Sequence, residues 1–131
     1  MTSATEVTAA IILRERSVLI ARRRDGDWEF PGGKLEPQET LEQCLTREIH
    51  EELDLHIEVV RPFLTVEHEY PAERIRLHSF ICRWIRGEPV TRDHSDVSWV
   101  AVDRLDRFAF SAADRPIVEE LLKGPKGLSF L

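Results

Sequence analysis

The sequence predicts a single mixed α/β layered domain. A chain of 131 residues is long enough for one hydrophobic core and too short for two. Several strand-like runs, with two helix-like segments between and after them, are typical of a sheet covered by helices. The composition, 42% hydrophobic and 32% charged, is that of a folded globular protein.

The first elements are a hairpin and a loop. Residues 7–13 (VTAAIIL) form a nearly continuous apolar run, which predicts a strand. Residues 18–23 (VLIARR) predict the returning strand, because the intervening RERS segment is typical of a turn. Residues 24–34 contain three Gly and a Pro, which predicts a loop with specialised turns.

A helix is predicted to follow this loop. Thr40 and Gln43 match a capping box, with Gln43 at the third helical position. Apolar residues then recur every four positions and give one buried stripe, made of Leu41, Leu45, Ile49 and Leu53.

The second half of the chain predicts another hairpin, one more strand and a last helix. The ranges are 56–70 and 74–85 for the hairpin strands, 97–102 for the next strand and 111–124 for the helix. Ser111 is predicted to cap that helix, and Gly124 with Pro125 to end it.

Charge and cysteine content limit the partners of the protein. A net charge of −6 and a pI near 5.4 exclude general attraction to nucleic acid, but allow a small polyanion where local positive charge or a cation is available. Cys44 and Cys82 are predicted to be buried free thiols in a reducing compartment. The apolar run near the N-terminus is too short for a membrane span or a signal peptide, so we expect a cytoplasmic protein. The oligomeric state cannot be read from the sequence.

The first predicted helix carries crowded carboxylates. Glu48, Glu51 and Glu52 lie within five residues, and Glu48 and Glu52 fall at the edge of the apolar stripe. Each like-charged pair costs roughly 0.2–0.5 kcal/mol even when exposed. A solvated acidic face is the ordinary interpretation, but such a face would lie opposite the stripe, and Arg47 cannot pair with all three glutamates. The placement favours a divalent cation, Mg²⁺ or Mn²⁺ as its substitute, held by hard oxygen ligands.

Residues 33–55 resemble the Nudix box, G-x5-E-x7-R-E-U-x-E-E-x-G-U, where U is aliphatic. Eight of its nine fixed positions match, namely Gly33, Glu39, Arg47, Glu48, Ile49, Glu51, Glu52 and Leu55. The late glycine is replaced by Asp54, which tolerates the left-handed conformation of a helix C-cap better than most residues do.

The resemblance extends over about residues 7–122. The segments IARR, WEFPGGK, EYPAERI and FSAADRPIVEELL resemble, in order and spacing, the bacterial MutT-like nucleoside triphosphate pyrophosphohydrolases. This resemblance implies that residues 1–131 form one Nudix α/β/α sandwich with a mixed sheet. It also implies an enzyme that hydrolyses a nucleoside triphosphate to monophosphate and pyrophosphate with Mg²⁺.

The resemblance also implies roles for the box residues. Glu48, Glu51, Glu52 and the Gly32 carbonyl are expected to bind metal, and Arg47 to orient a glutamate. Glu48 is favoured as the general base. Glu39 either braces the junction of loop and helix or compensates the charge at the helix N-terminus. In some relatives a further carboxylate comes from the strand before the last helix, where this chain has Ser98, with Asp93 and Asp96 nearby.

Substrate contacts are expected on both sides of the box. Arg23 and Lys34 are expected to face the phosphates, and Arg22 and Arg24 to lie in solvent as alternating neighbours on a strand. Asp114 matches the position that reads the base in MutT-like relatives, but it could equally be part of a capping box with Ser111. Three aromatic residues could line a base pocket or simply be core, namely Phe30, Tyr70 and Phe80.

The expected substrate is a small-molecule nucleotide, with 8-oxo-dGTP ranked first. CTP or a 5-modified dCTP comes second, because Asp114 stands where the antimutator enzyme has Asn. ADP-ribose or another nucleoside diphosphate derivative comes third, on Pro71, which is also explained by a hairpin turn. A Nudix-like module that senses nucleotides without hydrolysis is the alternative of a different class, which the intact box glutamates disfavour.

Overall fold

The structure is a computed structural model and describes residues 3–124. In this part of the chain, six strands form one mixed sheet. The strands are β1 (Thr5–Arg14), β2 (Ser17–Arg22), β3 (Trp28–Glu29), β4 (His56–Glu69), β5 (Arg74–Arg86) and β6 (Asp96–Ala101). The α-helices are α1 (Leu41–Leu53) and α2 (Arg115–Leu122), and short 3₁₀ turns cover Val102–Arg107 and Ala112–Asp114.

The strand order is β3-β2-β1-β5-β4, with β6 paired to β2. Both predicted hairpins are confirmed, since β1 pairs antiparallel with β2 and β4 pairs antiparallel with β5. The central pairing is parallel and joins β1 to β5 over nine residue pairs, from Thr5↔Ile75 to Leu13↔Arg83. The sheet is therefore mixed, as predicted.

Each face of the sheet has its own hydrophobic core. Helix α1 covers one face, where Leu45, Ile49 and Leu53 are fully buried with Phe80 and Cys82 from β5. Helix α2 and the Val102–Arg107 turn cover the other face through residues such as Ile117 and Leu105. The result is the expected α/β/α sandwich. Cys44 and Cys82 are buried and free, as predicted.

Helix α1 has the predicted ends. The Gln43 backbone N–H donates to Thr40 Oγ1 at 3.1 Å, and the Thr40 N–H donates to Gln43 Oε1 at 2.9 Å, which completes the capping box. At the C-terminus Asp54 is left-handed, with φ 58° and ψ 37°. Asp54 thus performs the capping role of the missing glycine.

The start of the last helix differs from the prediction. Residues 111–124 are not one helix capped by Ser111, because a 3₁₀ turn comes first and the Ser111 side chain makes no capping bond. The α-helix starts at Arg115 with Pro116 in its first turn, where a residue without an N–H is tolerated best. Pro125, predicted to end the helix, lies outside the described residues.

Two elements were not predicted, β3 and the Val102–Arg107 turn. β3 is only two residues long and pairs with the end of β2, inside the segment predicted as loop. Within residues 3–124, none of the helices combines the length and apolar character that crossing a membrane requires.

Candidate active site

The site starts where the loop before α1 runs along β1. The Ala10 N–H donates to the Pro31 carbonyl at 2.7 Å, and the Thr8 N–H donates to the Gly33 carbonyl at 2.8 Å. Because successive carbonyls of an extended segment alternate, the Gly32 carbonyl between them is directed away from β1. A Cβ on Gly32 would lie 1.9 Å from the Thr8 carbonyl oxygen, so only glycine allows this approach.

Gly33 brings the loop against α1. A Cβ on Gly33 would lie 1.7 Å from Glu48 Oε2, so the Glu48 carboxylate occupies the space that a side chain would need. The Glu48 side chain is only 16% exposed as a result. The two glycines therefore place a backbone carbonyl and a partly buried carboxylate next to each other.

Arg47 organises the carboxylates of the box. Its guanidinium binds Glu39 in a bidentate manner, with Nε 3.1 Å from Oε2 and Nη2 2.7 Å from Oε1. Its Nη1 donates to Glu48 Oε1 at 2.6 Å and to Glu51 Oε1 at 2.8 Å. The bonds from Arg47 to Glu39, with one from the Glu36 N–H, lower the pKa of Glu39 to about 2.

Glu52 lies outside this Arg47 network and is partly buried. Burial is the larger cause and repulsion from Glu48 the second, and together they raise the pKa of Glu52 to about 7. Asp93 and Glu29 raise it further, whereas His94 lowers it. Glu52 is therefore a carboxylate short of compensating positive charge.

The donor set fits a divalent cation in its chemistry. Glu48, Glu51, Glu52 and the Gly32 carbonyl supply the hard oxygens that Mg²⁺ prefers, and the raised pKa of Glu52 marks a place where positive charge is favourable. Among residues 3–124, no three acidic, histidine or cysteine side chains converge closely enough to hold an ion as they stand. Glu48 and Glu51 are held by Arg47 instead.

Asp114 and Phe30 lie together at the other end of the loop. The Phe30 N–H donates to Asp114 Oδ1 at 3.2 Å, and the Ser111 hydroxyl donates to Asp114 Oδ2 at 2.5 Å. Burial raises the pKa of Asp114 to about 7 despite these bonds. The predicted capping box is not formed, because Ser111 bonds the Asp114 side chain rather than its backbone N–H.

The aromatic candidates separate onto the two faces of the sheet. Phe30 is 3% exposed and stacks on Phe110 with ring centroids 5.2 Å apart, and Tyr70 packs against the same core. The Tyr70 hydroxyl accepts a hydrogen bond from the Ala113 N–H at 3.1 Å. Phe80 is buried beneath α1, which removes it from any pocket that Phe30 lines. For Phe80, the core interpretation is correct.

The predicted phosphate contacts are exposed cations beside acidic residues. Arg23 Nη2 lies 3.1 Å from Asp25 Oδ2, and the Arg23 side chain is 43% exposed. Lys34 Nζ lies 3.8 Å from Glu73 Oε1, with its side chain 68% exposed. In the sequence, Arg23 immediately follows the last residue of β2, and Lys34 immediately follows Gly33.

Sequence reasoning missed His94 and Glu29. His94 Nε2 lies 2.8 Å from Glu29 Oε2, and this hydrogen bond raises the pKa of His94. Both are close enough to Glu52 to affect its pKa. A single histidine in a short polar segment carries no periodicity, so only its position before a predicted strand could have drawn attention to it. Ser98 stands at the position where some relatives have a further carboxylate. It is on β6 and lies opposite Ile20 on β2.

Comparison with known proteins identifies the family. The model of the NUDIX domain matches residues 4–121. The CTP pyrophosphohydrolase of Escherichia coli K12 is 32% identical over 122 residues, which cover 89% of this chain and 90% of that protein. The 8-oxo-dGTP diphosphatase of the same strain is 30% identical over 122 residues, covering 88% and 95% of the two chains.

Solved structures agree with this result. The E. coli ORF135 protein in solution superposes with a TM-score of 0.83 at 28% identity, covering 97% of this chain and 96% of that one. A MutT NUDIX hydrolase from Burkholderia pseudomallei gives a TM-score of 0.81 at 28% identity, covering 90% and 98%. Proteins of this family generally need divalent metal ions. With its box on α1 and its sandwich fold, the chain belongs to the NUDIX domain family.

Proposed function

We propose that this protein is a Mg²⁺-dependent pyrophosphohydrolase that converts a nucleoside triphosphate and water to the monophosphate and pyrophosphate. The observation that carries the proposal is the placement of Glu48 against the Gly32–Gly33 loop, with Glu51 and Glu52 following on the same helix α1. Relatives named CTP pyrophosphohydrolase and 8-oxo-dGTP diphosphatase support the reaction class. The buried free thiols of Cys44 and Cys82 support a cytoplasmic location.

The residues of the site divide the work. The three α1 glutamates and the Gly32 carbonyl would hold Mg²⁺, which supplies charge neutralisation and a lowered pKa for a water molecule. Glu48 accepts the proton of the attacking water. The water oxygen bonds to the β-phosphorus, and the bond from that phosphorus to the oxygen bridging to the α-phosphorus breaks. Arg47 holds Glu48 in orientation throughout, through the bond of its Nη1.

The remaining residues bind and orient the nucleotide. Arg23 and Lys34 contact the phosphates, because exposed guanidinium and ammonium groups beside the site can exchange their acidic partners for a substrate phosphate. Phe30 and Asp114 form the end of the site that receives the nucleoside, since they are hydrogen-bonded to each other and buried next to the loop.

Two substrates are supported by specific observations. The first is 8-oxo-dGTP, supported by a relative with that activity in its name. The second is CTP or a 5-modified dCTP, supported by the relative named for CTP and by Asp114, whose carboxylate can accept from the cytosine N4 amine.

A panel of normal and damaged (d)NTPs, assayed with Mg²⁺ by pyrophosphate release, tests the proposal. We expect 8-oxo-dGTP to give a higher kcat/KM than dGTP and dCTP, and a still higher value for CTP or a 5-modified dCTP would establish the second candidate. Glu52→Gln should lower kcat about 100-fold, the scale of removing one electrostatic interaction from a transition state. Glu42→Gln, on the exposed first turn of the same helix, is the matched control. Full turnover by Glu52→Gln, or no turnover of any nucleotide by the native protein, would contradict the proposal.

A further inference from the structure

His94 is buried in a way that fold stability does not explain. It lies in the segment between β5 and β6 and is 6% exposed, and its ring donates a hydrogen bond to Glu29. Its Nδ1 atom is buried and has no hydrogen-bond partner within residues 3–124. Burying an unpaired polar atom costs free energy that an apolar side chain would avoid. A buried histidine here therefore points to a role beyond packing.

The partner, Glu29, interacts electrostatically with both halves of the site. Its carboxylate raises the pKa of Glu52 on the metal side and of Asp114 on the nucleoside side. It immediately precedes Phe30, whose N–H holds Asp114. The Glu29 side chain is 26% exposed, so a ligand can reach it. His94 binds Oε2, so the other oxygen, Oε1, can accept a hydrogen bond from a further donor.

We propose that His94 is a positioning residue that fixes Glu29 so that Glu29 Oε1 accepts a hydrogen bond from the nucleoside part of the substrate. The inference rests on the proposed function, because it takes the phosphates to lie at the α1 glutamates and the base near Asp114. A nucleotide in that orientation passes Glu29 with its sugar and the edge of its base. The donor is therefore a sugar hydroxyl or a base N–H group.

Conservative substitutions separate positioning from packing. In His94→Gln the amide nitrogen can replace Nε2 as the donor to Glu29, whereas the shorter side chain of His94→Asn cannot reach it. We expect His94→Asn to raise KM about 10-fold and to change kcat less than about 3-fold, which is the pattern expected when an interaction is removed from the ground state and the transition state alike. His94→Gln should stay within about 3-fold of the native protein in both constants.

A double-mutant cycle tests whether His94 acts through Glu29. Glu29→Ala should raise KM at least as much as His94→Asn does. The double variant should be no worse than Glu29→Ala alone, because the two residues form one unit. Equal effects of His94→Asn and His94→Gln, multiplying losses in the double variant, or a loss confined to kcat would each overturn the proposal.

A second histidine–glutamate pair provides the control. His78 Nε2 lies 2.7 Å from Glu6 Oε1 on β5 and β1, and neither residue belongs to the proposed site. His78→Asn and His78→Gln should leave KM and kcat unchanged. Thermal melting of every variant shows whether a change in KM reflects local interactions or impaired folding.

Calorimetry with α,β-methylene dCTP and α,β-methylene dGTP gives a readout that needs no turnover. We expect His94→Asn to weaken binding about 10-fold and His94→Gln to preserve it. If the native protein hydrolyses no triphosphate but shows this binding pattern, the proposed function fails and the role of His94 stands. Equal binding by all His94 variants overturns the role of His94 whatever the activity. A 2′,3′-dideoxy analogue identifies the donor: a penalty present in the native protein and absent in His94→Asn assigns a sugar hydroxyl, and an equal penalty in both assigns a base N–H.

Discussion

At the scale of single residues, Asp114 on the nucleoside side of the site affects how the stability of the fold depends on pH. Its side chain is almost fully buried, and burial raises its pKa to about 7 from an ordinary value of 3.8. Below pH 4 the carboxyl is protonated in both the folded and the unfolded chain. As the pH rises from 4 to 7, the unfolded chain releases the proton while the folded chain retains it, so stability is lost over this range.

We therefore predict that Asp114→Asn removes a pH dependence of folding. The difference in the free energy of unfolding between native protein and variant should change in favour of the variant from pH 4 to pH 7, by at most about 4 kcal/mol, and then level off. Urea denaturation without added metal between pH 4.5 and 8.5 measures it. Parallel pH profiles for the two proteins would contradict the prediction.

The residues of the site differ in how far the sequence predicted them. The Glu48, Glu51 and Glu52 cluster was visible because a helix converts sequence spacing into a known angular position. Glu29 and His94 were not visible, because their contact joins residues 65 positions apart. No local pattern reports such a contact, and the buried state of His94 depends on how the segment before β6 folds over the site.

At the scale of elements, the C-terminal end of α1 depends on one unusual backbone conformation. Asp54 adopts φ 58°, a region that disfavours residues with a Cβ. The Asp54 side chain contributes little stabilisation that would offset this cost, since its ion-pair contact with His50 is 3.9 Å long and exposed.

We predict that Asp54→Gly stabilises the protein by about 0.5–1 kcal/mol, because glycine adopts the left-handed conformation without steric cost. Asp54→Ala should destabilise it by about 1 kcal/mol, because alanine has a Cβ and no polar group that compensates. Denaturant midpoints of the two variants measure the effect, and kcat should be unchanged in both. Equal midpoints for the Gly and Ala variants would show that the cap does not determine the stability of this helix end.

Element types were predicted well, and short or composite elements were not. Long amphipathic or apolar runs determine their own structure, as in α1 and the β4–β5 hairpin. The two-residue strand β3 exists only because β2 offers it a partner. The last helix was predicted too long, because propensity does not distinguish an α-turn from a 3₁₀ turn next to a proline.

For the whole molecule, the mixed sheet could be predicted in class but not in connectivity. The parallel pairing of β1 with β5 joins segments about 70 residues apart, and alternation of apolar residues does not specify a partner. The resemblance to a known family supplied the architecture, and the two separate cores account for it physically.

The whole molecule should also gain stability from its cation. Because Mg²⁺ would bind the folded site and not the dispersed glutamates of the unfolded chain, a Mg²⁺ concentration 100 times Kd should add about 2.7 kcal/mol to the free energy of unfolding. That corresponds to a rise of about 10 °C in Tm for a domain of this size. Tm measured against Mg²⁺ concentration tests the prediction. The rise should disappear in Glu52→Gln and persist in Glu42→Gln, and an equal rise in both variants would indicate nonspecific screening of charge.

The contact of Gly33 with Glu48 has a consequence for the history of the protein. Since the carboxylate fills the volume of the missing side chain, a larger residue at position 33 would displace the Glu48 carboxylate from its place in the site. While the protein remains a hydrolase, a change at either position therefore depends on the residue at the other, and both positions can change once hydrolysis is lost. We expect that homologous proteins with a residue larger than glycine at position 33 also lack the glutamate at position 48.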